Sequence, residues 1–264
     1  MTDRVRTRAL SPAVPAAIAL AWVLAVAAQV SGRPELLNHD AFFEVFVVHG
    51  SYSVWAGLIL FLLAWQAMVV AMMLPSSLPL VRLFAVAVRS QDHPGAVQAV
   101  FIGGYVFVWG AFGMLALSGD LLVHRIVEHL AWLDARPHLV SGAILATAGL
   151  FQFSSLKERC LSKCRHPAAY LMRNYRTGLK EAFRLGSGHG LFCLGCCWAL
   201  MLLMFAIGTA NLVWMALLAG VMTYEKVGRH GRSFVPLAGM LLLSWAAIVF
   251  VQPAWLPSVL AGLN

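Results

Sequence analysis

The sequence predicts an all-α membrane protein. The expected form is a polytopic bundle of about seven transmembrane helices, with the amino terminus in the cytoplasm, the carboxyl terminus outside and one amphipathic helix at the interface. Three observations carry that prediction. The 264 residues are 61% hydrophobic and 11% charged, with a mean hydropathy of +0.79, against about 45–50% apolar and roughly 25% charged in a soluble domain. The apolar residues fall in runs close to the ~20 residues a helix needs to cross a bilayer. The basic residues collect on one side when those runs alternate across the membrane. The chain is therefore read as a single integral membrane domain over residues 1–264, with no room for a large soluble one.

The elements follow in order. Residues 12–31 form the first expected span; the basic residues before it resemble a signal peptide, but the run lacks a convincing small-residue cleavage site and reads as a retained helix. A polar stretch follows. The second span covers 53–74, and Pro75 and Pro79 are expected to end or kink it, because neither carries an amide donor. The third covers 96–117. Residues 121–133 place His124, Arg125, Glu128 and His129 on one side of an otherwise apolar segment, which predicts the interfacial helix. A short fourth span covers 138–154. A basic, cysteine-containing cytoplasmic loop is expected at about 155–188. Spans five, six and seven cover 190–208, 211–224 and 234–251, with "GTAN" (208–211) as a tight outer turn.

This layout places 16 of the 19 Lys and Arg residues inside, eight of them between Lys157 and Arg184; only Arg33, Arg125 and Arg136 fall outside. The net charge of +8 is thus topology information, and no nucleic-acid partner is expected. The outer loops hold five of the nine histidines, namely His39, His49, His124, His129 and His138, among acidic residues. That surface reads either as a solvated face or as a place that attracts or releases a cation.

The candidate chemistry lies in span five, "HGLFCLGCCWALMLLMF" from His189 to Phe205. On a helix, residues three and four apart share a face. His189, Cys193 and Cys197 are spaced four and four, Cys196 lies beside them, and Met201 and Met204 continue the line. Thiolate and thioether are soft donors that favour Cu(I), and imidazole suits copper or zinc. All five cysteines fall within residues 160–197, since Cys160 and Cys164 sit one helical turn apart in the basic loop, with His166 near them. A cytoplasmic face keeps thiols reduced, which favours metal binding or redox exchange over a structural disulfide. Span two adds Met68, Met72 and Met73; span six adds Met215, Met222 and Glu225, the last at its inner end. Glu225 reads either as a ligand or as the partner of a loop cation such as Arg184. Cysteine and methionine are also ordinary fillers of apolar cores. No phosphate-binding glycine loop, G-x-S-x-G elbow or H-E-x-x-H pair is present, so no enzymatic turnover is expected.

Four strings together resemble a known bacterial family: "AMMLPSSLPLVRLF" (71–84), "GLFQFSSLKERCLSKCRHP" (149–167), "RTGLKEAFRLGSGHGLFCLGCCWALMLLMFAIGTANLVWMALLAGVMTYEK" (176–226) and "GRHG" (228–231). The family is the predicted metal-binding integral membrane proteins of the polyphenol-oxidase copper-chaperone type, and the resemblance runs from about residue 60 to the end. It implies a multi-pass protein of the bacterial cytoplasmic membrane that supplies copper to a tyrosinase-type oxidase or a similar cuproprotein. The ligands it implies are His189, Cys193, Cys196, Cys197, Met201, Met72 and Met73, with Cys160 and Cys164 as a loop site. One departure stands in "GTANLVWM", where Thr209 and Ala210 occupy a place at which the resemblance leads us to expect methionine.

Three functions are weighed. In the first, Cu(I) is taken by the thiols and His189 and passed along Met201, Met204 and the Met72–Met73 face. In the second, the C-x-x-C-C cluster is a membrane thiol–disulfide oxidoreductase. In the third, zinc staples the loop to span five in a structural subunit. The expected surroundings are the lipid bilayer and a cuproprotein, with homo-oligomerisation left open.

Overall fold

A computed structural model describes residues 12–30, 54–207 and 212–252. Every element among them is helical: α1 (Ala13–Val30), α2 (Val54–Ala87), α3 (Pro94–His129), α4 (Ala131–Asp134), α5 (Pro137–Phe151), α6 (Ser155–Arg165), α7 (Pro167–Asn174), α8 (Leu179–Ile207), α9 (Leu212–Val227) and α10 (Gly231–Val251). His39, His49 and the 208–211 turn lie outside the described residues.

Four helices, α2, α3, α8 and α10, are long and apolar enough to cross a bilayer; a fifth span results if α5 and α6, bent by 62°, are counted as one broken crossing. The expected first and sixth spans correspond to α1 and α9, apolar helices that fall short of that measure. The outward faces carry Leu63, Phe107, Leu115, Leu191 and Leu241, all exposed. Apolar residues both inside and outside a helix suit a lipid surround rather than water.

Two expectations are corrected. The second span does not stop at Pro75 or Pro79: α2 runs through both to Ala87. Pro75 cannot donate to the carbonyl four residues back, and that carbonyl, Ala71 O, instead accepts from Trp22 Nε1 of α1 at 3.2 Å. Ser76 Oγ donates to Met73 O at 2.8 Å in the same turn. A neighbouring side chain thus satisfies the carbonyl that Pro75 leaves without its helical donor. Nor is there a separate interfacial helix at 121–133. Residues 118–129 continue α3, a helix of 36 residues, because no proline interrupts the run and Gly119 alone does not break it. At 1.5 Å per residue α3 spans about 54 Å, well beyond the ~30 Å hydrocarbon core.

The expected loop at 155–188 is also helical. Ser154 caps α6, its Oγ accepting from Lys157 N at 3.1 Å, with Glu158 in the first turn and Lys163 and Arg165 in the last. Those charges match the helix dipole at both ends. α8 begins at Leu179, eleven residues before the expected start of span five at 190.

Close approach places α8 at the centre. A Cβ on Gly186 would overlap the carbonyl of Phe101, so glycine lets α3 and α8 meet backbone to backbone, as small residues do in membrane bundles. α2 is pinned to α3 by Trp65 Nε1 donating to Trp109 O at 2.8 Å and Gln66 Nε2 donating to Val106 O at 2.9 Å. One end of the bundle is tied by Tyr175, whose hydroxyl donates to Ala87 O at 2.8 Å and accepts from Gln91 Nε2 at 2.9 Å.

Candidate metal centre

The helical spacing that sequence analysis assigns to span five turns its soft donors into the core. His189, Cys193, Cys196, Cys197, Met201 and Met204 are all buried along α8, and Met72 and Met73 face them from α2. α6 brings up Cys160, buried, and Cys164, half-buried. α9 contributes Met215, Met222, Glu225 and Lys226, and α3 contributes Tyr105.

The thiols are organised by a single carbonyl. Cys196 and Cys197 follow Cys193 by three and four residues, and both donate back to Cys193 O, at 3.0 and 2.8 Å. The Cys197 thiol also lies 3.5 Å from Met73 Sδ, so a thiol and a thioether from two helices meet. Cys193 Sγ is 3.2 Å from the Tyr105 hydroxyl and accepts from Lys226 Nζ at 3.1 Å. Lys226 Nζ also donates to Ser76 Oγ at 3.2 Å and lies 3.9 Å from Met73 Sδ. A buried ammonium is tolerable only when charge and hydrogen-bond partners surround it; here sulfur and hydroxyl do.

The loop cysteines pack into the same core as those of the span. Cys164 interacts with Cys196. Cys160 Sγ lies against the backbone of Gly195, where an added Cβ would come within 2.6 Å of it. Glycine between Cys193 and Cys196 is what lets α6 lie down on α8. All five cysteines are free thiols. Cys164 is the one of the five that is not fully buried.

Not every expected residue joins. His189 stands one turn before Cys193, but its Nε2 is hydrogen-bonded to Ser77 Oγ at 3.1 Å and its ring stacks on Tyr105 at 5.6 Å between centroids. Glu225 is taken up by an ion pair: its Oε2 accepts from Lys157 Nζ at 2.7 Å, with both side chains buried. The loop cation that Glu225 meets is therefore Lys157, and Arg184 is exposed. Nearby, Tyr170 donates to Leu185 O at 3.1 Å. Burial first, then the Cys164 thiol, push its phenol up to about 12, so it remains a donor at any physiological pH.

Lys226, Lys157, Tyr105, Ser76 and Ser77 join the site without a strong local signal in the sequence. Lys226 and Lys157 read locally as topology-setting cations. The signals available were an adjacent Glu–Lys pair closing an apolar helix and a Ser–Ser pair between two prolines.

Among the described residues, no three His, Cys, Asp or Glu side chains stand together as a ready metal cage. The donor set is instead sulfur, both thiol and thioether, which suits a soft metal ion.

Fold and site together define a helical bundle with an apolar exterior and a buried, sulfur-rich centre. A sequence model of the family PpoB2, described as a copper chaperone, matches residues 62–249. The chain belongs to that copper-chaperone family, and its role is in copper handling. The match begins in α2, ends in α10 and takes in every candidate ligand. Comparisons with curated proteins and with solved structures found no match.

Proposed function

We propose that the protein is a membrane-embedded carrier that binds Cu(I) and delivers it to a tyrosinase-type oxidase or a similar cuproprotein, without catalytic turnover. The observation that carries this reading is the convergence of Cys193, Cys196 and Cys197 with Met73 in a buried space whose one half-exposed thiol is Cys164. Copper enters at Cys164 and Cys160, is held by Cys193, Cys196 and Cys197, and moves on along Met201, Met204, Met72 and Met73. His189, on Ser77, holds the α2–α8 contact at the edge of the site and ligates only after leaving that hydrogen bond. Glu225 acts through Lys157 and is a structural residue. Soft ligands exchanging one at a time give a path without a deep trap. The positive-inside pattern supports a bacterial cytoplasmic membrane location with α6 on the cytoplasmic side.

The test is metal content of detergent-purified protein loaded anaerobically with Cu(I) or Zn(II). Cu(I) that exchanges in the wild type and is lost in the C193S/C196S/C197S variant is the expected result. Unchanged copper content in that variant would sink the proposal. Tight, non-exchangeable zinc would make the cysteines a structural staple, and a titratable disulfide without metal would make them a redox centre.

A further inference from the structure

Lys226 is the least expected group in the centre. Its ammonium is buried, and its contacts are Cys193 Sγ at 3.1 Å, Ser76 Oγ at 3.2 Å and Met73 Sδ at 3.9 Å. The other charges close by are Glu225, the residue before Lys226 on α9, and Lys157 of α6, and they pair with each other at 2.7 Å. That leaves Lys226 as one fixed positive charge among the sulfurs. Taking unbalanced charge out of water is costly, so a buried centre is stable when its charges sum to zero.

We infer that Lys226 is the specificity-determining residue of the centre: its fixed charge selects a monovalent soft cation over a divalent one. This rests on the copper reading above. Each thiol that becomes a ligand gives up its proton to solvent. Two thiols and Cu(I) therefore form a bis-thiolate of charge −1 and release two protons, with no change in oxidation state. Lys226 brings that sum to zero. Zn(II) on the same two thiolates is already neutral, so Lys226 leaves the centre at +1. Ser76 holds the ammonium within reach when it gives way at Cys193, and Ser76 is itself held by Met73 O at 2.8 Å.

The experiment is competitive titration of the full-length, detergent-purified protein against chromophoric chelators for Cu(I) and Zn(II), with Ag(I) as a redox-inert monovalent probe. K226Q removes the charge and keeps a polar side chain; K226R keeps the charge. The ratio of Cu(I) to Zn(II) affinity is expected to fall by about tenfold or more in K226Q, since unit charges ~4 Å apart still interact by several RT at an effective dielectric of about 20. Ag(I) should follow Cu(I), and K226R should keep the wild-type ratio within about threefold. A wild type that takes Cu(I) together with an unchanged ratio in K226Q overturns the role of Lys226 and leaves the copper reading intact. A wild type that takes no Cu(I) overturns both. Should K226Q fail to fold, S76A, which removes only the anchor of the ammonium, decides: a smaller fall in the same direction upholds the inference, and an unchanged ratio overturns it.

Discussion

Met73 shows how one side chain links two helices into a site. It is fully buried, and its sulfur lies 3.5 Å from the Cys197 thiol and 3.9 Å from the Lys226 ammonium. Replacing it by leucine keeps volume and apolarity, a swap that usually costs under about 1.5 kcal/mol. M73L should therefore fold normally and bind Cu(I) about tenfold more weakly, because a soft donor is lost while packing is kept. Chelator competition with a parallel unfolding curve checks this, and an unchanged affinity would remove Met73 from the path. Gly195 makes a second case. Its missing Cβ makes room for Cys160 Sγ, which an alanine would approach to 2.6 Å. In G195A, α6 should lift from α8, and Cys164 should react several-fold faster with a thiol reagent. Soft donors at helical spacing are legible in a sequence because the period is local. That Lys226 joins them is not, because residue 226 meets residues 73, 76 and 193 only when three helices pack.

At the scale of the element, α2 is the instructive helix. Two prolines read locally as a stop, and local propensity says the helix should end. The tertiary fold overrides it by offering Ala71 O another donor, Trp22 Nε1. W22F should cost about 1 kcal/mol, the ordinary worth of such a bond. In a P75A background the amide of residue 75 can take that carbonyl, so the same W22F change should cost less than half as much. Four thermal or denaturant curves complete this double-mutant cycle, and equal costs in both backgrounds would mean that Trp22 does not compensate the proline. α3 teaches the converse lesson. Its polar residues from His124 onward suggest a separate surface helix, yet nothing in the backbone interrupts the run, and hydrogen bonding continues to His129.

At the scale of the whole molecule, the segment from 155 to 178 folds back over the centre. α6 bends by 62° from α5 and is tied down by Lys157 on Glu225 and by Arg165 Nη2 donating to Gly228 O at 3.4 Å. Breaking a buried ion pair by removing one partner costs about 3–5 kcal/mol, whereas replacing both by apolar side chains is often close to neutral. K157M and E225M alone should each destabilise the protein by that much, and K157M/E225M together by far less; additive losses would show that the two charges do not act as a pair. Orientation has its own test. A membrane-impermeant maleimide should label Cys164 in inverted vesicles and leave it unlabelled in right-side-out cells. The opposite pattern would reverse the topology and the direction in which copper travels.

Composition and local spacing suffice to read an apolar, helical chain with its sulfur donors gathered on one helix face, and the strings around Cys193–Cys197 point to copper. Those properties follow from composition, a 3.6-residue period and short-range spacing, which survive without knowledge of the fold. Helix packing sets the loop cysteines beside those of the span, pairs Glu225 with Lys157, rests His189 on Ser77 and seats an ammonium against a thiol. Each of these is a contact between residues far apart in the chain, from Lys226 with Cys193, 33 positions away, to Lys226 with Met73, 153 positions away. Such pairings are set by which helices pack together and at what height. Buried charge makes the outcome sharp, since an ammonium or carboxylate inside the bundle is stable only where the fold supplies its partner.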